Sequence, residues 1–142
     1  MVEKLEVIID VILHATEDHS KIFAVFNEKF GLREDEFLVR NTTGHFDNPI
    51  TVISIKITKK KASDFIRNLT DILSKEQIKE IINEIDERTV DSRFHIRIDK
   101  QEFVRGNIVF REKDAIKIKI HTPVYNKKNT VKIFTDLLQT SN

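Results

Sequence analysis

The sequence predicts an α+β fold in two layers, a mostly antiparallel sheet with helices packed on one face. Three observations carry this. Some segments alternate apolar and polar residues with the period of two that a half-buried strand requires, and others repeat apolar residues at helical spacing. Several strand segments follow one another across short turns, which suits antiparallel pairing, with helical segments grouped between them. The 142 residues contain no Pro/Ser-rich linker, low-complexity tract or internal repeat, so they read as one domain over residues 1–142, long enough to bury a core without staples.

The elements follow in order. Leu5, Val7, Ile9, Val11 and Leu13 share one face of a first strand, residues 5–13. Thr16-Glu17-Asp18 reads as a helix start, a capping hydroxyl followed by acids that complement the helix N-terminus. Ile22, Phe23, Phe26 and Phe30 then recur at helical spacing, and Gly31 supplies a left-handed stop. A short strand at 36–42, a Gly/Pro loop at 44–49 and a strand at 51–58 with Ile53, Ile55 and Ile57 on one face come next. Two helices occupy the middle, the first striped by Ala62, Phe65, Ile66, Leu69 and Leu73, the second by Ile78, Ile81, Ile82 and Ile85. Ser74-Lys75-Glu76-Gln77 is a capping box between them. Strands are expected at 93–99, 107–111 and 115–121, and a last helix at 129–139 burying Val131, Phe134, Leu137 and Leu138. The predicted order is β-α-β-β-α-α-β-β-β-α.

Composition narrows the function classes. With no cysteine, a disulfide scaffold, a thiol nucleophile, a Cys-ligated zinc and an iron–sulfur cluster are excluded. The longest apolar runs fall well short of the roughly 20 residues a membrane span needs. The acidic start Met1-Val2-Glu3-Lys4-Leu5-Glu6 does not resemble a secretory signal, so a soluble cytoplasmic protein is expected. The net charge of +1 hides an asymmetry: residues 1–92 hold 13 Lys+Arg and 18 Asp+Glu, residues 93–142 hold 11 and 5. Such a split points to an anionic partner for the C-terminal third, or to pairing with the acidic remainder of the chain.

If helices cover one sheet face, the other displays its residues to solvent. Alternation turns Phe94, Ile96 and Ile98 inward and leaves Arg93, His95, Arg97 and Asp99 outward; Ile116, Ile118 and Ile120 turn inward and leave Lys117, Lys119 and His121 outward. Cations spaced along adjacent strands suit a phosphate backbone, although the same pattern is found on an ordinary solvated face. Aromatic interleaving is sparse. Most of the ten Phe occupy core-facing positions, the single tyrosine is Tyr125 in a loop, and Phe46 and Phe103 are the candidate exposed rings, so contact with the backbone and with RNA shape is expected over base-by-base readout.

Catalytic patterns are few. His14, Glu17, Asp18 and His19 cluster at a strand–helix junction, but without the spacing of a helical metal motif. There is no P-loop, G-x-G-x-x-G or G-x-S-x-G element.

Three stretches, in order, are His14-Ala15-Thr16-Glu17-Asp18, Gly44-His45-Phe46-Asp47-Asn48-Pro49-Ile50 and Arg97-Ile98-Asp99-Lys100-Gln101, continued by Gly106, Asp114, Ile116, Lys117 and Lys119. Together they resemble the archaeal exosome-associated RNA-binding proteins, a former domain of unknown function, over about residues 5–121. The resemblance implies a fold like ribosomal protein five of the large subunit, an RNA-facing sheet, and an archaeal cytoplasmic protein linked to RNA processing and the exosome. Two positions depart from the pattern. Asp47 stands where the family has glycine; Asp tolerates left-handed backbone, but its carboxylate would weaken a phosphate contact by that loop. Glu102-Phe103 stand where small residues are usual. The motifs also read as purely structural: a helix cap, a Gly/Pro turn, and a strand end tied by an Asp99–Lys100 salt bridge.

The expectation is therefore a non-enzymatic RNA-binding protein without cofactor, metal or membrane contact. Arg93, Arg97, Lys117 and Lys119 would contact phosphates, and Lys100 and His45 phosphate or ribose from the loop ends. Its partners would be structured or double-stranded RNA and exosome subunits. The alternative is a protein-interaction adaptor of an RNA-processing complex, with no direct RNA contact. An RNA-modifying enzyme built on His14, His45 and Asp99 ranks last.

Overall fold

The computed structural model describes residues 4–124 and 127–139; Tyr125 lies outside them. In chain order the elements are β1 (Glu6–His14), α1 (His19–Phe30), β2 (Leu38–Thr43), β3 (Pro49–Thr58), α2 (Lys59–Ile72), α3 (Lys75–Asn83), α4 (Ile85–Arg88), β4 (Thr89–Val90), β5 (Arg93–Asp99), α5 (Lys100–Val104), β6 (Ala115–His121) and α6 (Thr130–Gln139). The strands form one six-stranded sheet in the order β2-β3-β1-β6-β5-β4, with antiparallel register in β2–β3 and β4–β5. This is the expected α+β architecture. Its cause is visible in the strands: Val7, Ile9, Val11 and Leu13 of β1, like Ile53, Ile55 and Ile57 of β3, are buried, while the intervening residues are not.

The chain divides into two compact units, and the division falls within β1, β3, β5 and β6. The first comprises Met1–Val7, Ile57–Ile96 and Lys119–Asn142. In it α6 packs on α2, α3 and α4, and Phe134 of α6 meets Phe94 of β5 with ring centroids 5.5 Å apart. Ala62, Phe65, Ile66 and Leu69 form the buried stripe of α2. The predicted capping box holds: Ser74 Oγ accepts from Gln77 N at 3.1 Å, and Ser74 N donates to Gln77 Oε1 at 2.9 Å. Val131 was expected in the core and is instead exposed, because α6 turns only Phe134 and Leu138 fully inward.

The second unit comprises Ile8–Lys56 and Arg97–Ile118. Its core is a cluster of rings from α1, α5 and the chain before β2. Phe26 lies 4.7 Å from Phe103 and 5.1 Å from Phe37, and Phe23 meets Phe37 edge-on at 5.3 Å. Phe103, a candidate exposed ring, is 0% exposed: α5 seats it against α1. Gly31 ends α1 with φ +66°, its N–H bonded to Asn27 O, as the left-handed stop requires.

The expected element order changes locally: the second middle helix ends at Asn83, with Ile85 in the separate α4, and the short α5 and β4 are not in the predicted order. Helix α1 starts at His19 with Asp18 as its cap, accepting from Ser20 N at 3.0 Å, whereas Thr16 lies in the preceding turn. Residues 107–111 do not form a strand. They make one antiparallel bridge, Ile98↔Phe110, flanked by Asp99 N→Val109 O at 2.7 Å and Arg111 N→Arg97 O at 3.0 Å.

Candidate nucleic-acid interface

Strands β5 and β6 are hydrogen-bonded neighbours. Phe94, Ile96 and Ile98 of β5 and Ile116, Ile118 and Ile120 of β6 are buried, so alternation turns the intervening cations to the uncovered face. In the first unit these are Arg93 and Lys119, both half-buried, with His95 and His121; His121 Nδ1 lies 3.0 Å from Ser92 O. In the second they are Arg97 and Lys117. Among the described residues the side chains of Arg93, Lys117 and Lys119 make no ion pair or hydrogen bond. Arg97 Nη1 reaches Glu112 Oε2 at 3.2 Å across solvent-exposed surface, a pair of small net value that an incoming phosphate can displace. The second unit also brings a border that sequence reading missed. Strand β1, on the other side of β6, carries Asp10 on the same face as Lys117. Strand order is not written in a one-dimensional pattern, so only the fold reveals it.

Lys100 is placed differently. It opens α5, whose cap Asp99 accepts from Glu102 N at 2.9 Å, and its side chain is 4% exposed. The ammonium donates to Ile12 O at 2.7 Å and to Glu17 Oε1 at 2.9 Å, and reaches Asp114 Oδ1 at 3.0 Å. These partners use all three of its protons. Glu17 also accepts from His14 N at 2.8 Å, and His14 Nε2 lies 3.2 Å from Asp114 Oδ1. The first and third sequence motifs thus converge, within the second unit, on one network that ties β1, the turn before α1, the start of α5 and the turn before β6. Glu17, read as a helix-end acid, spends its carboxylate on this tie. Asp99 pairs with Arg111 at 3.4 Å and not with Lys100.

Burial pushes the Asp114 carboxyl up, but the hydrogen bond and charge of Lys100, then those of His14, outweigh it and leave the group below its usual range. The Asp18 carboxyl is also lowered, chiefly by the Ser20 hydroxyl it accepts from. Among the described residues no cluster of three or more His, Asp or Glu side chains could hold a metal ion.

The middle motif forms the tip of the β2–β3 hairpin. Gly44 N donates to Asn48 O at 2.7 Å and Asn48 N to His45 O at 3.3 Å, closing the turn. Asp47 takes φ +59°, the left-handed conformation its side chain tolerates, and Phe46 takes φ +60°. His45 is exposed at this tip, its ring centroid 6.4 Å from that of Phe46. His45 and Lys100 are therefore on separate features of the second unit, one at a hairpin tip and one in a buried network.

An α+β sheet with an uncovered, cation-bearing strand pair defines the class. The chain belongs to the RNA-binding family, whose model, described as RNA binding, matches residues 6–122. It is 32% identical over 123 residues to an RNA-binding protein of Pyrococcus abyssi, covering 82% of this chain and 80% of that one. It is 28% identical over 135 residues to an uncharacterized protein of Methanocaldococcus jannaschii, covering 87% and 90%. A crystal structure from Archaeoglobus fulgidus, assigned to a family of unknown function, superposes with a TM-score of 0.79 at 26% identity over 93% of this chain and 97% of that one. One from Sulfolobus solfataricus gives 0.77 at 23% identity, over 96% and 99%, a likeness of fold. Among the described residues no helix is long and apolar enough to cross a membrane.

Proposed function

We propose that residues 1–142 act as a non-enzymatic RNA-binding domain that grips the RNA backbone through the cations of β5 and β6. It would serve cytoplasmic archaeal RNA processing in association with the exosome. Arg93 and Lys119 in one unit, and Arg97 and Lys117 in the other, contact phosphates; His45 contacts phosphate or ribose from the hairpin tip. Lys100, with its three protons already engaged, holds the second unit together and contributes no phosphate contact. The observation that carries this reading is that Arg93, Lys117 and Lys119 lie on neighbouring strands with no side-chain partner among the described residues. Backbone cations without a row of exposed rings suit structured or double-stranded RNA, recognised by charge and shape.

The test is a titration of the purified protein with duplex and single-stranded RNA across a salt series. A linear fall of log K with log salt, with a slope for roughly three to six phosphates, is expected. The double variant Arg97→Glu, Lys119→Glu should remain folded, lower that slope by about two and weaken binding regardless of sequence. Unchanged binding by the folded double variant would remove the strand face as the interface. No binding at low salt would favour the adaptor reading, with the basic strands serving as a protein-docking surface.

A further inference from the structure

Of the chain's ten phenylalanines, Phe46 stands apart. It is 95% exposed, whereas the others are buried or half-buried. Nothing in the folding of the domain calls for an aromatic ring there. The backbone beneath it is also strained, since φ +60° is sparsely populated for a bulky side chain and is followed at once by Asp47 at φ +59°. The strain is held in place. The turn is closed by the Gly44–Asn48 and Asn48–His45 backbone bonds, and the strands below it by Thr51 Oγ1 donating to Asn41 Oδ1 at 2.9 Å. A closed, strained turn that holds a ring out into water is built for something that the ring meets.

The surroundings identify its chemistry. Residues 40–49 contain no Leu, Ile, Val or Met, and the exposed Leu38 and Val39 stand at the other end of β2, so the tip itself carries no apolar cluster of the kind a protein partner would bury. They present instead Arg40, Asn41, Thr42, Thr43 and His45, all exposed, with Asp47 as the lone carboxylate. A single projecting ring amid hydrogen-bonding groups matches a nucleobase, which needs one π-face to stack on and polar neighbours for its ribose and phosphate. We propose that Phe46 is a base-stacking residue, and that the β2–β3 hairpin presents it to an unpaired base of a structured RNA, with His45 beside the ribose or phosphate. This rests on the RNA-binding reading and adds to the backbone grip a contact that selects unpaired nucleotides.

Two probes test it: a short blunt RNA duplex, and the same duplex with unpaired adenosines at one 3′ end, one of them replaced by 2-aminopurine. The wild-type protein should bind the overhang probe more tightly and quench its fluorescence. Phe46→Ala should weaken overhang binding by about five- to a hundredfold, abolish the quenching and leave the blunt duplex and the salt slope unchanged. Phe46→Trp should retain both properties, and Phe46→Leu should lose both. If the wild type binds both probes and Phe46→Ala binds and quenches equally well, stacking is overturned while RNA binding stands. Wild-type binding without preference or quenching overturns it likewise. If the wild type binds neither probe, both readings fall together.

Discussion

Lys100 and Lys117 lie in the same unit, carry the same charge and have opposite surroundings. The first is 4% exposed, with three acceptors around its ammonium; the second is exposed and unpartnered among the described residues. A buried cation must be fully paired, because removing it from water costs several kcal/mol, and pairing leaves it nothing to offer a ligand. A cation on an uncovered strand keeps its hydration and can exchange it for phosphate. The same division separates the rings: Phe103 is sealed against Phe26, and Phe46 projects from the hairpin. Sequence motif membership does not distinguish structural from ligand-facing residues; solvent access does.

The largest break in this contrast is at Phe103. Phe103→Ala opens a cavity between α1 and α5 and should cost about 3–5 kcal/mol in urea unfolding, while Phe46→Ala should leave the midpoint unchanged, there being no buried contact to lose. Next comes the lysine pair. Lys100→Met removes the ammonium shared by Glu17, Asp114 and the Ile12 carbonyl, leaving Glu17 its bond from His14 N, and should destabilise by about 2 kcal/mol, below the full cost of a broken buried pair because both carboxylates reach water. Lys117→Met should stay within about 0.5 kcal/mol. The RNA salt slope should fall by about one for Lys117→Met and hold for Lys100→Met; equal slopes in both variants would erase the distinction.

The smallest effect concerns pH. The Asp114 carboxyl is lowered in the folded state, so in acid the unfolded chain binds more protons and stability rises with pH. Its contribution is complete above the ordinary carboxylate range and disappears as pH falls through the lowered folded value. Wild type should exceed Asp114→Asn by less than about 1 kcal/mol near neutrality, since the group is half exposed, and the gap should close in acid. A gap that stays constant with pH would remove the charge of Asp114 from the tie.

Much of this was legible in the residues. The alternation in β1, β3, β5 and β6, the capping box at Ser74 and the stop at Gly31 are local patterns with local causes, and each stands where expected. The outward setting of Arg93, Arg97, Lys117 and Lys119 follows from the same period of two. Segment 107–111 reads as a strand because Ile108 and Phe110 alternate with polar neighbours, but one bridge is all that β5 makes with it. Thr16 and Asp18 are both capping residue types, Asp the stronger, and the path of the turn places Asp18 at the cap.

By itself the sequence determined β1, β3, β5, β6 and the longer helices, the side of each of those strands that is buried and the charge the other side displays, since these depend on neighbours within a few positions. The order β2-β3-β1-β6-β5-β4, the Asp10 border beside β6, the burial of Phe103 and the convergence of Ile12, Glu17, Lys100 and Asp114 were decided by tertiary structure. Those contacts join residues up to about a hundred positions apart, and such meetings depend on how sheet and helices pack, which no local periodicity encodes.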